Sequence, residues 1–160
     1  MPRRKSVNFI RDIGVDLRYN SELVQKFINV IMERGKKNIA RNIVYEALDI
    51  IAKKTNSDQE RALQMFNRAF AQIVPAIEVR PRRVGGSVYQ IPVAVAPLRA
   101  RSLALRWLMN AAASRSAKTM GQRLAQEILE AAEGRGNAVK KKLDVHKMAE
   151  SNRAFSHYAW

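Results

Sequence analysis

The sequence predicts a mainly α-helical single domain, with about six helices and a β-hairpin that protrudes between the third and fourth. Apolar residues recur every three or four positions along most of the chain, which is the period of one helix face. Residues 76–95 instead carry two β-branched runs around a Gly-Gly pair. A length of 160 residues and an apolar fraction of 47% favour one domain, spanning 1–160, with a core of its own.

Residues 1–19 are predicted to form a basic extended tail. Their apolar residues follow no sustained period, so we expect this tail to need a partner for order. The first helix begins after Asn20 or Ser21, either of which can cap a helix N-terminus. Gly35 is typical of the position just beyond a helix C-terminus and predicts the end of that helix.

The second and third helices follow from the same apolar period. The second is predicted over residues 37–55. The third opens with Ser57 and Glu60, whose S-x-x-E spacing predicts a capping box in which each side chain satisfies a free backbone amide. Pro75 ends this helix, because proline cannot continue the hydrogen-bond ladder.

The region 76–95 is predicted to be a two-stranded arm. Its central pair, Gly85 and Gly86, suits the tight hairpin turns that require positive φ. Pro81 and Pro92 block further strand pairing, so the arm is a ribbon with two edges. A lone ribbon is marginally stable in water, and we expect its outer end to project and meet a partner.

A two-residue turn fixes which residues of the arm face each other. Arg82 lies opposite Tyr89, and Arg80 lies opposite Ile91. The result is a thin ribbon with cations and one ring that can stack, a shape suited to a groove or a single nucleic-acid strand.

Three more helices complete the prediction. Pro97 fits the first position of the fourth helix. One face of that helix is polar, with residues at spacings of three and four: Arg99, Ser102, Arg106 and Asn110. The fifth helix stops at Gly134, and a basic sixth helix runs over residues 137–155.

The charge of the chain is its most unusual property. Lys and Arg number 29 against 14 Asp and Glu, which gives a net charge of +15. No acidic residue lies between Val79 and Gln126, where an even distribution would place about four. Nine cations occupy that stretch, and eight are arginines, whose planar fork binds phosphate through two hydrogen bonds. This asymmetry predicts a polyanionic partner.

Some of these cations also fit an ordinary solvated surface. Arg106 can extend from the edge of the core, and the lysines of residues 140–142 can form plain helix surface. For Arg80, Arg82 and Arg83 we favour a polyanion, because nothing within the protein is expected to pair with them.

Several kinds of chemistry are excluded or disfavoured. The chain has no cysteine, so disulfides and thiolate sites are absent. His146 and His157 are too far apart along the chain for a shared metal site, and we predict neither metal nor cofactor. The N-terminus has no apolar secretory segment, and no apolar run is long enough for a membrane span.

Two other functions remain open on composition alone. A basic helical body with a two-stranded arm also suits an architectural DNA-binding protein that inserts into a minor groove. An enzyme acting on nucleic acid would need clustered carboxylates or a base in a cleft, which the basic half of the chain lacks.

Several longer motifs resemble one known family, the bacterial-type ribosomal protein seven of the small subunit. The resemblance covers the whole chain. It rests on residues 1–5 (MPRRK), 21–23 (SEL), 82–93 (RRVGGSVYQIPV), 103–107 (LALRW), 138–142 (AVKKK), 144–150 (DVHKMAE), 152–158 (NRAFSHY) and the terminal Trp160.

The resemblance implies a function. Proteins of this family are structural, non-enzymatic components that bind the 3′ major domain of small-subunit rRNA early and nucleate assembly of the head. They lie at the subunit interface near the decoding centre, and their hairpin reaches toward the exit-site tRNA and the mRNA. Their neighbours are small-subunit ribosomal proteins nine and eleven. The implied location is the cytoplasmic ribosome, with the plastid stroma as an alternative.

The resemblance and the charge pattern together nominate two sets of residues. The predicted rRNA-binding set is Arg3, Arg4, Lys5, Lys36, Lys37, Arg99, Arg101, Arg106, Arg115, Lys118, Lys140, Lys141 and Lys142. The predicted hairpin contacts to RNA or exit-site tRNA are Arg80, Arg82, Arg83, Gly85, Gly86 and Tyr89.

Overall fold

A computed structural model describes residues 12–56 and 58–158 and confirms a mainly helical fold with one hairpin. Within these residues, six α-helices and a short 3-10 helix (η1) accompany a two-stranded antiparallel sheet. In chain order the elements are α1 (Glu22–Ile31), α2 (Lys37–Lys54), α3 (Gln59–Ile73), β1 (Ile77–Val84), β2 (Ser87–Ala94), α4 (Pro97–Ala113), α5 (Met120–Ala132), α6 (Asn137–Ser151) and η1 (Arg153–Tyr158).

The core is built around α5. This helix packs against α2, α3 and α4, and its alanines let those neighbours approach closely. Larger side chains fill the remaining space, including Phe27 and Phe66, whose ring centroids are 5.5 Å apart. Full burial of one such side chain contributes about 1.5–3 kcal/mol. The body is therefore a rigid scaffold from which the hairpin starts.

The N-terminus of α1 agrees with the sequence prediction, and its C-terminus does not. Ser21 is the N-cap, and its hydroxyl accepts a hydrogen bond from the amide of Val24. The helix stops at Ile31, however, and not next to Gly35. Exposed polar residues follow the last apolar turn, and Arg34 already has a positive φ of 50°, so nothing extends the helix.

The capping box predicted at the start of α3 involves Ser57, which lies outside the described residues. Asp58 is the N-cap of α3 and makes no side-chain capping hydrogen bond. A capping box is present at the start of α5, between Thr119 and Gln122. Each of these two side chains accepts a hydrogen bond from a backbone amide of the other residue.

The segment of residues 12–19 is irregular, as predicted, and two of its side chains bind the helical body. Asp16 is buried and accepts a hydrogen bond of 2.8 Å from the hydroxyl of Tyr45 on α2. Arg18 forms two hydrogen bonds with the carboxylate of Asp49, also on α2. That the tail needs a partner for order stays a prediction. Residues 1–11 lie outside the described part of the chain.

The hairpin has the predicted register. Arg82 pairs with Tyr89 and Arg80 pairs with Ile91. The amide of Val95 donates to the carbonyl of Ala76, so backbone pairing spans the predicted range of 76–95. The base of the hairpin rests on α6 and η1.

The C-terminal helix differs from the prediction. A single helix was expected over residues 137–155, but α6 ends at Ser151 with Asn152 as its C-cap. The chain then tightens into η1, which lies against β2. This change of direction brings the end of the described chain onto the hairpin.

Candidate nucleic-acid interface

The tip of the hairpin is open to solvent. Gly85 and Gly86 have φ values of 59° and 90°, as a tight turn with two left-handed residues requires. Arg83 is exposed next to this turn, and Arg82 is half-buried on the opposite face of the strand. The Arg83 side chain is therefore exposed at the far end of a narrow ribbon, where a nucleic-acid backbone can reach it.

The base of the hairpin holds a cluster of three charged residues, which we call the Glu78 cluster: Glu78, Arg80 and Arg99. Arg80 Nε donates to Glu78 Oε1 at 2.7 Å, and its Nη2 lies 2.6 Å from the same oxygen. Arg99, on the first turn of α4, donates from Nε to the other oxygen, Oε2, at 2.8 Å. One carboxylate therefore holds an arginine of the strand beside an arginine of the helix.

The carboxylate of this cluster is ionised at neutral pH. Burial alone would raise the pKa of Glu78, but the hydrogen bonds from Arg99 and Arg80 outweigh burial and lower that pKa below its usual 4.5. The expectation that nothing within the protein pairs with Arg80 is therefore wrong. Its partner lies just outside the acid-free stretch, two residues earlier on the same strand.

The remaining cations of α4 are open to solvent. Arg106 is exposed, which fits the predicted polar face of this helix. Arg101 is also exposed and lines a shallow cleft together with Lys26 of α1 and the ring of Phe70. The first turn of α4 has Pro97 at its start, and its N-cap residue, Ala96, makes no side-chain hydrogen bond to the helix end.

Lys36 and Lys37 lie where α2 begins. Both are exposed, and Lys36 occupies the N-cap position of α2 without a capping hydrogen bond from its side chain. The predicted tail contacts Arg3, Arg4 and Lys5 fall outside the described residues.

The three predicted lysines of α6 differ in their surroundings. Lys140 and Lys141 are exposed. Lys142 is half-buried, and its ammonium group donates to the carbonyl of Gln72 at the end of α3, at 2.7 Å. Lys142 therefore ties α6 to α3, while its two neighbours keep their ammonium groups available to a ligand.

Arg115 does not join the open cations. It belongs to a second cluster, the Arg115 cluster, formed with Glu127 and Glu130 of α5. Arg115 Nε donates to Glu127 Oε2 at 2.5 Å, and its two Nη groups bond the carboxylate of Glu130. The Arg115 side chain is only 15% exposed and Glu127 is fully buried. A cation already bound by two carboxylates has little to offer a phosphate, so we remove Arg115 from the predicted interface.

The Arg115 cluster also fixes the start of α6. Glu127 Oε1 accepts a hydrogen bond of 2.7 Å from the amide of Ala138 in the first turn of that helix. Gly136 has a φ of 94°, and a β-carbon there would lie 2.9 Å from Glu127 Oε1. The cluster is thus part of the scaffold. Arg115 lies in the connection between α4 and α5, and Lys118 in that connection is exposed.

Tyr89 was predicted to offer its ring to a base, but the protein already uses part of that ring. Its centroid lies 4.5 Å from that of Phe155 on η1, with the two planes tilted by 35°. Tyr89 is half-buried as a result. The register prediction holds, whereas the freedom of the ring does not, because η1 covers it.

The structure therefore sorts most of the predicted side chains into three groups, whereas Arg82 stays half-buried near the hairpin tip. Open cations are Lys36, Lys37, Arg83, Arg101, Arg106, Lys118, Lys140 and Lys141. Half-exposed arginines held by Glu78 are Arg80 and Arg99. Arg115, Lys142 and Tyr89 are engaged within the protein. Glu78 is the residue that the sequence analysis missed, and strand alternation was the signal for it, because residues two apart share a face.

Within the described residues, a metal-binding cluster and a membrane-spanning helix are both absent. No group of three or more His, Cys, Asp or Glu residues is placed to hold a metal ion. Among the helices in the described ranges, none combines the length and the apolar character that a bilayer crossing requires.

Comparison with known proteins gives a consistent result over the whole chain. The profile of the family described as ribosomal protein S7p/S5e matches residues 2–153. Proteins named small ribosomal subunit protein uS7 from Colwellia psychrerythraea and Idiomarina loihiensis are each 52% identical over 160 residues. The protein of the same name from Aeromonas hydrophila is also 52% identical. Each alignment covers 100% of this chain and 100% of the relative.

Proposed function

Because this chain belongs to the ribosomal protein S7p/S5e family, we propose that it binds the 3′ major domain of small-subunit rRNA directly and nucleates assembly of the subunit head. Membership of the family makes the chain a structural component of the small ribosomal subunit, an rRNA-binding protein that serves translation. The family is structural and not enzymatic. The proposal adds the RNA domain and the role in assembly.

The observation that carries the proposal is the array of open cations on the hairpin, α4 and the start of α2. Arg83, Arg101, Arg106, Lys36 and Lys37 are all exposed. Each phosphate that such a cation neutralises releases condensed counterions, and that release drives binding. With roughly 6–10 such contacts, the affinity for RNA falls steeply as salt rises.

Specificity requires something more than charge. The deep major groove of A-form RNA hides its base edges, so a protein recognises folded RNA largely by its shape. The helical body here is rigid, since α5 is packed against four neighbouring helices, α2, α3, α4 and α6. A rigid body with cations at fixed places can select a folded RNA junction whose phosphates match those places.

We further propose the position of the protein within the subunit. The hairpin extends toward the exit-site tRNA and the mRNA path, near the decoding centre at the subunit interface. Small-subunit proteins nine and eleven are its proposed neighbours. The exposed tip around Gly85 and Gly86 supports this role, because a narrow ribbon can enter a space between RNA segments that the helical body cannot.

A binding comparison at matched salt tests the proposal. The protein is titrated against an rRNA fragment of the 3′ major domain, an equally long rRNA fragment of the 5′ domain, and duplex DNA of equal charge. We expect the tightest binding to the 3′ fragment and a linear fall of log affinity with log salt. Equal or tighter binding to the duplex would contradict the proposal and favour an architectural DNA-binding protein.

The assembly role needs its own measurement. Chemical probing of the 3′ domain fragment with and without the protein reports which RNA helices become protected. We expect protection of nucleotides beyond the contact surface, because a nucleating protein stabilises the junction as a whole. Protection confined to the contacted phosphates would contradict nucleation while leaving RNA binding intact.

A further inference from the structure

We propose that Glu78 is a positioning residue that holds Arg80 and Arg99 side by side as a clamp for one RNA phosphate. The inference rests on the proposed function, since it assigns a ligand class to one part of the RNA-binding surface. Neither the charge pattern nor the resemblance assigns a role to Glu78. What carries the inference is the geometry of the three side chains.

Two elements of the fold, β1 and α4, supply the three residues of the Glu78 cluster. Glu78 and Arg80 are two apart on β1, so their side chains project from the same face of the ribbon. Arg99 comes from the first turn of α4 and binds the second oxygen of the same carboxylate. Two elements that are far apart in sequence thus bring their guanidinium groups to one carboxylate.

Several N–H donors of Arg80 and Arg99 remain after both have bound Glu78. A guanidinium group has five N–H donors in a fixed plane. Arg80 uses its Nε and Nη2 on Glu78, and Arg99 uses its Nε. Both arginine side chains remain 52% exposed, whereas the Glu78 side chain is only 9% exposed. The carboxylate is therefore covered, and the outer edges of both arginines face solvent.

The net charge of the Glu78 cluster balances that of one phosphate group. Two arginines and one carboxylate leave a net charge of +1, which suits the single negative charge of a phosphodiester. The start of α4 adds the positive end of a helix without a side-chain cap. Two planar donors oriented in advance lose less conformational entropy on binding than two free arginines would. Glu78 therefore lowers the net positive charge of the cluster by one, but it orients the two arginines.

This role predicts a sign opposite to that of simple electrostatics. Glu78→Gln raises the net charge of the protein by one, so counterion release alone predicts equal or tighter RNA binding. If Glu78 orients the arginines, the same substitution weakens binding instead. We expect an affinity for the 3′ domain fragment about tenfold lower than that of the unmodified protein, which is the scale of one well-oriented charged contact.

Glu133→Gln is the matched control for charge. Glu133 is exposed at the end of α5 and pairs with exposed Arg135, so the substitution makes the same change in charge away from the hairpin. We expect equal or slightly tighter RNA binding for this control. The comparison isolates the position of the carboxylate from its charge.

A coupling measurement separates positioning from a general structural defect. If Glu78 acts through the two arginines, adding Glu78→Gln to an Arg80→Ala, Arg99→Ala double variant causes no further loss of affinity. A defect of the fold would add to the loss and would also change the backbone NMR spectrum of the helical body. An equal or tighter affinity of a folded Glu78→Gln protein, or full additivity, would overturn the inference.

Arg99→Lys provides a second variant that does not touch Glu78. It keeps the charge but removes the planar fork, so we expect weaker binding of the same order. Arg68→Lys, at an exposed position of α3 outside the predicted interface, should bind as the unmodified protein does. Equal effects of the two lysine variants would overturn the inference.

The two proposals fail in different ways. If the unmodified protein prefers duplex DNA to the 3′ fragment, the proposed function is wrong, whatever Glu78 does. If the unmodified protein prefers the 3′ fragment but Glu78→Gln and Glu133→Gln behave alike, the proposed function stands and the positioning role of Glu78 falls.

Discussion

The Glu78 cluster and the Arg115 cluster use the same two side-chain types in opposite proportions. In the Arg115 cluster one arginine meets two carboxylates, and its side chain is 15% exposed. In the Glu78 cluster one carboxylate meets two arginines, and each arginine side chain is 52% exposed. The first cluster lies between α5 and the α4–α5 connection, and the second joins the hairpin to α4.

The difference shows how the same ion pair can serve two purposes. When acidic groups are in excess and the arginine is mostly buried, the carboxylates occupy its hydrogen-bond donors and the cluster contributes to the scaffold. When arginines are in excess and half-exposed, the carboxylate orients donors that remain available to a phosphate. The ratio of the charges and their exposure therefore indicate which arginines belong to the interface. Substitutions in each cluster test this division.

The largest effect is expected from Glu127→Ala. Glu127 is fully buried and binds both Arg115 and the amide that starts α6. Removing one partner of a buried pair costs about 3–5 kcal/mol. We expect urea unfolding to show a loss of that size. In conditions where the variant is folded, its RNA affinity and salt dependence should match those of the unmodified protein.

Glu133→Ala serves as the control for this experiment. It removes a carboxylate near the same end of α5, but the pair that it breaks is exposed. We expect no measurable change in the free energy of unfolding. A loss in Glu127→Ala of less than about 1 kcal/mol, which is the range of a surface pair, would mean that the Arg115 cluster is not structural.

The second effect is the reverse of the first, with its main change in binding. Arg80, Arg82 and Arg83 are replaced together by alanine on the hairpin. We expect the helical body to remain folded, because none of the three belongs to its core. The slope of log affinity against log salt should shrink by up to about three, roughly one for each lost phosphate contact.

Gel-shift titrations at four salt concentrations measure that slope. A matched triple variant replaces Arg61, Arg68 and Lys53, which are exposed on α2 and α3 and are not predicted to bind rRNA. Its slope should change less than that of the hairpin variant. Equal slopes for the two variants would contradict a specific role of the hairpin.

A smaller effect tests what the two clusters share. Hydrogen bonds from Arg115 lower the pKa of Glu130, and those from Arg99 and Arg80 lower the pKa of Glu78 against the opposing effect of burial. Both pKa values lie below the usual 4.5 in the folded protein, so the unfolded chain binds protons first. Their contribution to stability is complete above pH 4.5 and is lost as the pH falls through the folded values.

Urea unfolding between pH 6 and pH 3 measures this loss. Glu130→Gln and Glu78→Gln should each make the acid side of the stability profile less steep, since each removes one group whose proton uptake favours unfolding. If both variants lose stability with falling pH as steeply as the unmodified protein does, other carboxylates govern acid unfolding.

Local pattern was enough to predict most of the fold. Gly85 and Gly86 fixed the turn, and strand alternation then placed Arg82 opposite Tyr89, as found. The helix positions followed from the apolar period, because each helix packs one face on the body. The end of α1 was missed, since Gly35 suits a helix end but the apolar stripe stops earlier.

The candidate site was harder to predict, because pairing between distant residues leaves no local signal. Arg115 lies in a stretch without acidic residues, yet its partners are 12 and 15 positions further along. Tyr89 and Phe155 come together only because α6 ends and η1 turns back onto β2. Counting charges along the chain can identify a basic region, but it cannot tell which of its arginines the fold has already neutralised.

The smallest effect concerns that aromatic pair and decides whether the hairpin ring serves the protein or the RNA. A tilted pair of rings contributes about 0.5–1.5 kcal/mol beyond the area that it buries. A double-mutant cycle with Tyr89→Leu and Phe155→Leu should give a coupling of that size in the free energy of unfolding.

RNA affinity is measured on the same four proteins. If η1 occupies the ring permanently, Tyr89→Leu leaves the affinity unchanged in both backgrounds. If Phe155 only covers the ring until RNA binds, Phe155→Leu tightens RNA binding, and Tyr89→Leu abolishes that gain because the freed ring is then absent. We expect the first result, since the two half-buried rings already pack against each other at 4.5 Å. The second result would return Tyr89 to the RNA-binding surface.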